Sequence, residues 1–213
     1  MFTLPAIEPH DGIQVAHPDR IHGEGKTCDI VNILSRLITS PDELALALFY
    51  TSAEQDLLLC TVNLAENSVL PLIYKLKGED FGKMLARWRV YEPLKTGKHP
   101  TGLEAYACGP HILVCNAMTP TAERKEDFNR WYDEEHIALL SEAPSWIRSM
   151  RYQLIESNDE GPSYLAMHFW GNRAVFDSPQ YKFATTTPWK FKVVDNVVAK
   201  ERHVYDYDRE IKR

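Results

Sequence analysis

The chain has 213 residues, of which 44% are hydrophobic and 25% charged, with a formal net charge of -6. Its length and apolar content are sufficient for one buried core or two small ones. The acidic balance excludes a nucleic-acid surface, because no run of Lys or Arg overrides it. The first residues, MFTLPAIEPHDG, do not resemble a signal peptide, and no stretch is apolar for long enough to span a membrane. We therefore expect a cytoplasmic protein with neither nucleic acid nor membrane as a partner.

Neither the cysteines nor the N-terminal histidines show the spacing of a metal site. The four cysteines are Cys28, Cys60, Cys108 and Cys115, without a C-x-x-C pair. Near the N-terminus lie His10, His17, His22, Asp19 and Glu24. Their spacing fits no single helix or strand face, so a solvated leader segment is favoured over a metal site. No metal is expected.

The first half of the chain shows the order strand, helix, strand, strand, helix, strand. Hydrophobic periodicity predicts strands at 13–16, 43–51, 57–64 and 84–94, and helices at 29–38 and 67–77. The two middle strands are joined by the short turn SAEQD, which indicates a β-hairpin. This order is that of a βαββαβ unit.

The second half repeats that order more clearly. It predicts strands at 111–118, 146–156, 163–170 and 199–207, and helices at 122–143 and 174–185. The similar strand endings RWRVYEPL and ERHVYDYD favour duplication, although a chance match is the alternative. We predict an α+β fold with two ferredoxin-like halves, 1–105 and 106–213, joined by a linker at 95–109. Their antiparallel sheets would pack face to face as a pseudo-dimeric α+β barrel.

The helix predicted at 122–143 carries the strongest functional signal. Phe128, Tyr132, His136 and Leu139 or Leu140 recur at helical spacing, so His136 is expected to point inward. Asp133 and Glu135 lie within reach of the same helix end, and a carboxylate beside His136 would favour its protonated form and fix one tautomer. The alternative is a core histidine that bonds a backbone carbonyl.

Other site residues are expected on the strands below this helix. Alternation along 164–170 places His168 on one face with Ala166 and Trp170, and a solvent-facing histidine or one paired with Arg151 is the alternative. Arg151 would suit an anionic or enolate oxygen, unless it forms only a surface ion pair. Asn116 and Tyr205 are further candidates whose faces the sequence leaves open.

The segment TTTPWK at 185–190 is predicted to be a loop over the end of the barrel. Trp189 in it would close a pocket by stacking on a flat substrate, or would serve as a structural plug. The first half offers no counterpart to FNRWYDEEH, so a single working site is expected, in the second half. In the alternative, the first half has its own function.

The residues at 112–208 resemble a known family. The runs FNRWYDEEHIALLSEAPSWIRSMRY, YLAMHFW, SPQYKFATTTPWK and KERHVYDYD are similar to the EthD-like branch of the dimeric α+β barrel superfamily, in its fungal-type duplicated form. The family pattern W-Y-D-x-E-H falls on Trp131, Tyr132, Asp133 and His136, and the usual later proline is Ala138 here. The resemblance implies the ferredoxin-like α+β barrel fold. It leaves the reaction open among cofactor-free oxygenation, lactone isomerisation, polyketide cyclisation, decarboxylation and haem degradation.

No motif for a nucleotide, flavin, catalytic metal or nucleophilic serine is visible, so no cofactor is expected. The leading hypothesis is an enzyme that uses histidine acid/base chemistry on a small aromatic or polyketide-like carbonyl compound. His136 would act with Asp133 and His168, and the substrate would contact Trp131, Tyr132, Asn116, Arg151, Trp189 and Tyr205. The alternative is a non-catalytic binding or stress-related barrel. An exposed sheet edge also allows a homodimer.

Overall fold

Eight strands form one antiparallel sheet in the described part of the chain. The computed structural model describes residues 111–211 continuously and, before them, residues 19–20, 44–52, 57–64, 74, 77–78 and 88–94. The strands are β1 (Asp19–Arg20), β2 (Leu44–Ser52), β3 (Leu57–Leu64), β4 (Arg89–Pro93), β5 (Ile112–Pro120), β6 (Trp146–Ser157), β7 (Tyr164–Trp170) and β8 (Val197–Ile211). Their order across the sheet is β1-β3-β2-β8-β5-β7-β6-β4.

The second half of the chain forms a complete ferredoxin-like unit. Its four strands lie in the order β8-β5-β7-β6, and every neighbouring pair is antiparallel. All four strands predicted from the sequence are present, and β8 continues four residues beyond its expected end at 207. The hairpin of β6 and β7 also falls where it was expected.

Strands of the first half continue this sheet at both edges. β2 pairs with β3 as the predicted hairpin and also with β8, while β4 pairs with β6. Within the predicted helix at 67–77, Tyr74 and Lys77 are helical. The predicted strand at 13–16 and helix at 29–38 lie outside the described residues. The prediction of an α+β fold with strands from both halves is confirmed.

The sheet curls into a barrel. Three strands separate β4 from β8 in the sheet order, a distance of about 19 Å if the sheet were flat. Nevertheless, the Arg89 guanidinium on β4 donates to both carboxylate oxygens of Glu201 on β8, at 2.7 and 2.9 Å. It also donates to both oxygens of Asp159, which follows β6. The edge strand β4 is therefore curled back toward β8.

The two faces of the sheet bury different clusters. The face toward the barrel, hereafter the barrel face, carries Tyr91, Leu113, Cys115, Ala117, Tyr152, Leu165, Met167, Phe169 and Tyr205. The opposite face, hereafter the helix face, packs against the helices through Ile112, Val114, Met118, Tyr164, Ala166, Trp170 and Val204. This separation follows from the period of two along each strand.

The long helix predicted at 122–143 is interrupted. A 3-10 turn at Ala122–Arg124 leads into α1 (Lys125–Trp131), a π-helical segment (Tyr132–His136) and α2 (Ile137–Ser141). Its buried side chains are those of Phe128, Trp131, Tyr132, His136 and Leu140. The inward face therefore agrees with the prediction, whereas the π segment does not follow from simple helical spacing.

Two further helices cover the helix face. A 3-10 segment at Arg173–Asp177 precedes α3 (Pro179–Ala184) and α4 (Pro188–Val194). The predicted loop at 185–190 is wrong in its second part, because Thr187 accepts the backbone N–H of Lys190 and begins α4, with Pro188 in its first turn. No helix in the described part of the chain has the length and hydropathy needed to cross a membrane.

Candidate functional site

The π segment brings Trp131 and His136 together. Residues five apart diverge around a regular α-helix, but the i→i+5 bonding of a π segment returns them to one side. Here the Ile137 N–H bonds the Tyr132 carbonyl, and the rings of Trp131 and His136 stack with centroids 4.3 Å apart and planes 24° from parallel. The same segment sets Tyr132 edge-on to His136 at 5.4 Å.

His136 is buried and neutral. Its Nδ1 lies 3.2 Å from the carbonyl oxygen of Ala184. A carbonyl can only accept, so Nδ1 carries the proton and Nε2 presents a lone pair. Burial, with the nearby positive charges of Lys190 and Arg151, lowers the pKa of His136 to about 3. The prediction that a neighbouring carboxylate would favour the protonated form is therefore wrong, and the alternative of a bonded backbone carbonyl is confirmed.

The two carboxylates expected beside His136 serve other partners. Asp133, with 46% of its side chain exposed, lies 3.5 Å from an Arg151 nitrogen. Glu135 accepts the hydroxyl of Thr187 at 2.6 Å. Because the side chain of Asp133 turns toward β6, nothing in its contacts supports a catalytic partnership with His136.

His168 approaches the same place from the sheet. Its register places it on the helix face with Ala166 and Trp170, as the alternation predicts. Its Nδ1 lies 2.7 Å from the Ser149 hydroxyl, which also accepts the indole N–H of Trp146 at 3.1 Å. Only 2% of His168 is exposed, so the alternative of a solvent-facing histidine is wrong.

The two imidazoles form the centre of the candidate site. The rings of His136 and His168 have centroids 5.8 Å apart and planes inclined at 85°. Tyr132 lies beside both, at 5.4 Å from His136 and 6.5 Å from His168. Two buried histidines with different protein partners thus share one aromatic surrounding.

The Arg151 guanidinium contacts the helix above it and is not available to bind the oxygen of a substrate. It is 2% exposed, donates to the Asn129 side chain at 2.6 Å, and lies 4.2 Å above the ring of Tyr132. Burial lowers its pKa, although the neighbouring Asp133 carboxylate opposes that effect. Arg151 is therefore buried and not paired with His168, it lies 3.5 Å from the partly exposed Asp133, and its contacts hold α1 and the π segment onto β6.

Three other predicted substrate contacts lie at different positions. Asn116 is half-buried on the helix face, opposite Ala166. Tyr205, whose face the sequence left open, lies on the barrel face, across the sheet from His136. Trp189 is half-buried and donates to Asp127 on α1 at 3.2 Å, which agrees with the alternative of a structural plug.

Sequence reasoning missed one residue at the site, Ser149, and one buried arginine on the other face of the sheet, Arg148. Ser149 holds His168, and its position opposite that histidine in the hairpin was the available signal. Arg148 is buried on the barrel face with its guanidinium 4.2 Å over Phe169, and an arginine inside an apolar strand was the signal there. Within the described residues, no group of three or more His, Cys, Asp or Glu side chains is placed to hold a metal ion.

Comparison with known proteins identifies the fold. No protein-family model and no curated protein matches the chain. A solved structure of an anthrone oxidase-like protein matches with a TM-score of 0.64 and 12% identity, over 97% of this chain and 95% of that one. A candidate monooxygenase from Fusobacterium nucleatum matches with a TM-score of 0.54 and 8% identity, over 98% and 96%. A candidate monooxygenase from Lactobacillus acidophilus matches with a TM-score of 0.50 and 10% identity, over 95% of this chain and 96% of that one.

These three structures have the dimeric α+β barrel fold. The chain therefore has that fold, with strands of its two halves joined in one barrel. At identities of 12% or less, the likeness defines architecture alone.

Proposed function

We propose that this protein is a cofactor-independent enzyme that moves a proton on an aromatic or polyketide-like carbonyl compound. The His136–His168 pair would act as acid and base. One observation carries the proposal: two buried imidazoles, each held at Nδ1 by a different protein group, face each other in an aromatic surrounding. Paired titratable groups in a water-poor site are typical of acid/base catalysis.

His136 is arranged to accept a proton at Nε2. The Ala184 carbonyl fixes its tautomer, so that the Nε2 lone pair is present throughout the physiological pH range. A carbon next to a carbonyl group, or a phenol, would lose its proton to His136, and that proton would pass to His168 for return to another atom of the substrate.

Trp131 would stabilise the oxygen of the resulting enolate. Its indole nitrogen is buried and has no hydrogen-bond acceptor within the described residues, although the ring stacks on His136. An unsatisfied buried N–H costs about 1–3 kcal/mol, which a bound carbonyl oxygen would recover. Donors aimed at a developing oxyanion are a general source of rate acceleration.

Proton removal can be followed by cyclisation, isomerisation or oxygenation; in decarboxylation, loss of CO2 would form the enolate and a histidine would supply the proton that it takes up. The likeness to an anthrone oxidase-like protein supports including oxygenation, in which O2 would attack the carbanion.

The EthD-like assignment and the duplication of the chain are also part of this proposal. The W-Y-D-x-E-H pattern supports the first, and the pairings β2–β8 and β4–β6, which join each half's strands to the other, support the second. A cytoplasmic location, a small apolar or aromatic substrate and a homodimer complete the proposal.

Exchange of substrate protons with deuterium tests the proposal. Wild-type protein, His136→Gln and His168→Gln would be incubated in D2O with β-polyketones and hydroxyanthrones, with and without O2. Circular dichroism would check that both variants keep the fold. We expect exchange in the wild type and at least a hundred-fold loss in His136→Gln, as for removal of a general base. Equal exchange in all three proteins would contradict the proposal.

A non-catalytic binding protein is the second candidate. It is favoured by the burial of His136 and by the pKa of about 3, since a base that weak removes protons poorly. In that case the same compounds would bind with no exchange in any variant.

A further inference from the structure

The helices α3 and α4 lie over the segment that carries His136, whose Nδ1 meets the Ala184 carbonyl at the end of α3 and whose neighbour Glu135 meets Thr187 at the start of α4. His136 is 5% exposed and His168 is 2% exposed, so a substrate reaches neither ring while this cover stays in place. We propose that residues 178–194, hereafter the lid, open as a unit, and that the bond between Glu135 and Thr187 is the latch that keeps them closed. This inference deepens the proposed function by assigning how its site is reached.

The lid is tied directly to the proposed base. The acceptor for His136 Nδ1 is the carbonyl of Ala184, the last residue of α3. Opening the lid would therefore break the bond that fixes the His136 tautomer and would admit water to the ring at the same time. The position of the lid and the state of the base are physically coupled.

The latch is formed by a short, charge-assisted hydrogen bond. The Thr187 hydroxyl donates to a Glu135 carboxylate oxygen at 2.6 Å, and it also accepts the N–H of Lys190 as the cap of α4. A second tie lies farther along α4, where Asp127 accepts from Trp189 at 3.2 Å and pairs with Lys192 at 2.9 Å. The first tie joins the lid to the π segment that carries His136, and the second joins it to α1 directly before that segment.

Few apolar side chains of the lid are buried. Ala184 and Val193 are its buried hydrophobic residues, whereas Phe183 is 61% exposed and Phe191 is 44% exposed. Segments with little buried apolar area open at a lower free-energy cost than a strand such as β7, in which every residue is buried. Tyr181, Trp189 and Val194 are partly buried and pack against the neighbouring core clusters, so the polar ties and these contacts together keep the lid closed.

Lid opening predicts a shift in the titration of His136. The charged and titratable groups around it are Tyr132, Asp133 and Glu135 on its own segment, Arg151 on β6, His168 on β7 and Lys190 on α4. In the closed state the pKa of His136 is about 3, against 6.5 for the exposed ring. If only the open form takes up a proton, each ten-fold gain in the open population raises the apparent pKa by about one unit.

Hydrogen exchange of the backbone amides tests the lid without a substrate. Glu135→Ala removes the latch, while Glu134→Ala is a matched control, since Glu134 lies in the same π segment and bonds the exposed Arg130. We expect Glu135→Ala to speed exchange of the α3 and α4 amides by about ten- to a hundred-fold, the factor for a hydrogen bond to a charged group. Exchange in β5 and β7 should stay unchanged, and Thr187→Ser should behave as the wild type.

The titration of the His136 ring, followed by NMR, is the second readout. In Glu135→Ala its midpoint should rise by about one to two units, in step with the exchange rates, and in Glu134→Ala it should not move. Unchanged exchange and an unchanged midpoint in Glu135→Ala would overturn the lid. If Glu135→Ala does not fold, Asp127→Asn, which weakens the second tie, takes its place with the same expectations. Neither readout needs catalysis, so failure of the lid and failure of the proposed function are distinguishable.

Discussion

The ring of His136 lies edge-on to that of His168, with centroids 5.8 Å apart. One ring comes from the π segment above the sheet and the other from β7 within it. The pair therefore lies in the layer between helices and sheet, on the face opposite the barrel interior. A ligand that meets both histidines must enter this layer.

The burial of His136 predicts a loss of stability in mild acid. The unfolded chain binds a proton near pH 6.5, while the folded chain binds it only near pH 3. Between these values the unfolded state holds more protons, so its free energy falls relative to the folded state as the pH decreases. We expect the free energy of unfolding to drop by up to about 1.4 kcal/mol for each pH unit below 6.5.

Urea unfolding at a series of pH values measures this dependence. His136→Gln cannot titrate, so the difference between wild type and His136→Gln isolates the histidine from other acid-titrating groups. The difference in the free energy of unfolding between the two proteins should be present above pH 6.5 and should diminish steadily toward pH 4. Parallel stability curves for the two proteins would show that His136 is not buried in its neutral form.

Arg151 is expected to contribute to stability through its contacts with α1 and the π segment. Arg151→Met removes the bond to Asn129 and the contact with Tyr132 while retaining an apolar stem. We expect the free energy of unfolding to fall by about 2–3 kcal/mol, as for hydrogen bonds to a buried charged group.

Arg130→Met is the matched control for that substitution. Arg130 is exposed and pairs with Glu134 four residues along the helix, so its loss should cost no more than about 0.5 kcal/mol. Thermal or urea unfolding of both variants gives the comparison. Equal effects would mean that Arg151 does not hold the helix onto the sheet.

Gly161 is predicted to be required by the ion pairs that bring β4 over the sheet. A Cβ at this position would collide with the side chain of Arg89, which is committed to Asp159 and Glu201. Because Arg89 must shift to make room, Gly161→Ala should cost about 1–3 kcal/mol. In an Arg89→Ala background the same substitution should be nearly neutral, because the obstructing Cδ, Nε and Cζ atoms are gone. Additive effects in this double-mutant cycle would contradict the clash.

The sequence was sufficient for the element order because each strand and helix in the second half has a clear hydrophobic period. It was insufficient where a local irregularity changes that period. A bulge between Trp146 and Arg148 puts Trp146, Ser149 and Arg151 on one face, so simple alternation along β6 fails. The π segment likewise moves Trp131 beside His136, although five-residue spacing separates side chains on an ordinary helix.

The partners of the site residues depend on contacts that the sequence does not encode locally. His136 was expected to meet Asp133 because both lie on one helix, but its partner is Ala184, which a separate helix brings into place. Tyr205 was on the correct strand, but on the barrel face. The residue types at the site were therefore predictable, whereas their pairing required the tertiary fold.

The most direct test of the site is the NMR response of four histidines to an added hydroxyanthrone. His136 and His168 lie on the helix face, while His111 and His203 are in ring contact with barrel-face residues, Phe169 and Tyr205 respectively. We expect binding to shift the ring signals of His136 and His168 and to leave those of His111 and His203 unchanged. Shifts confined to His111 and His203, or no shift in any histidine, would contradict it.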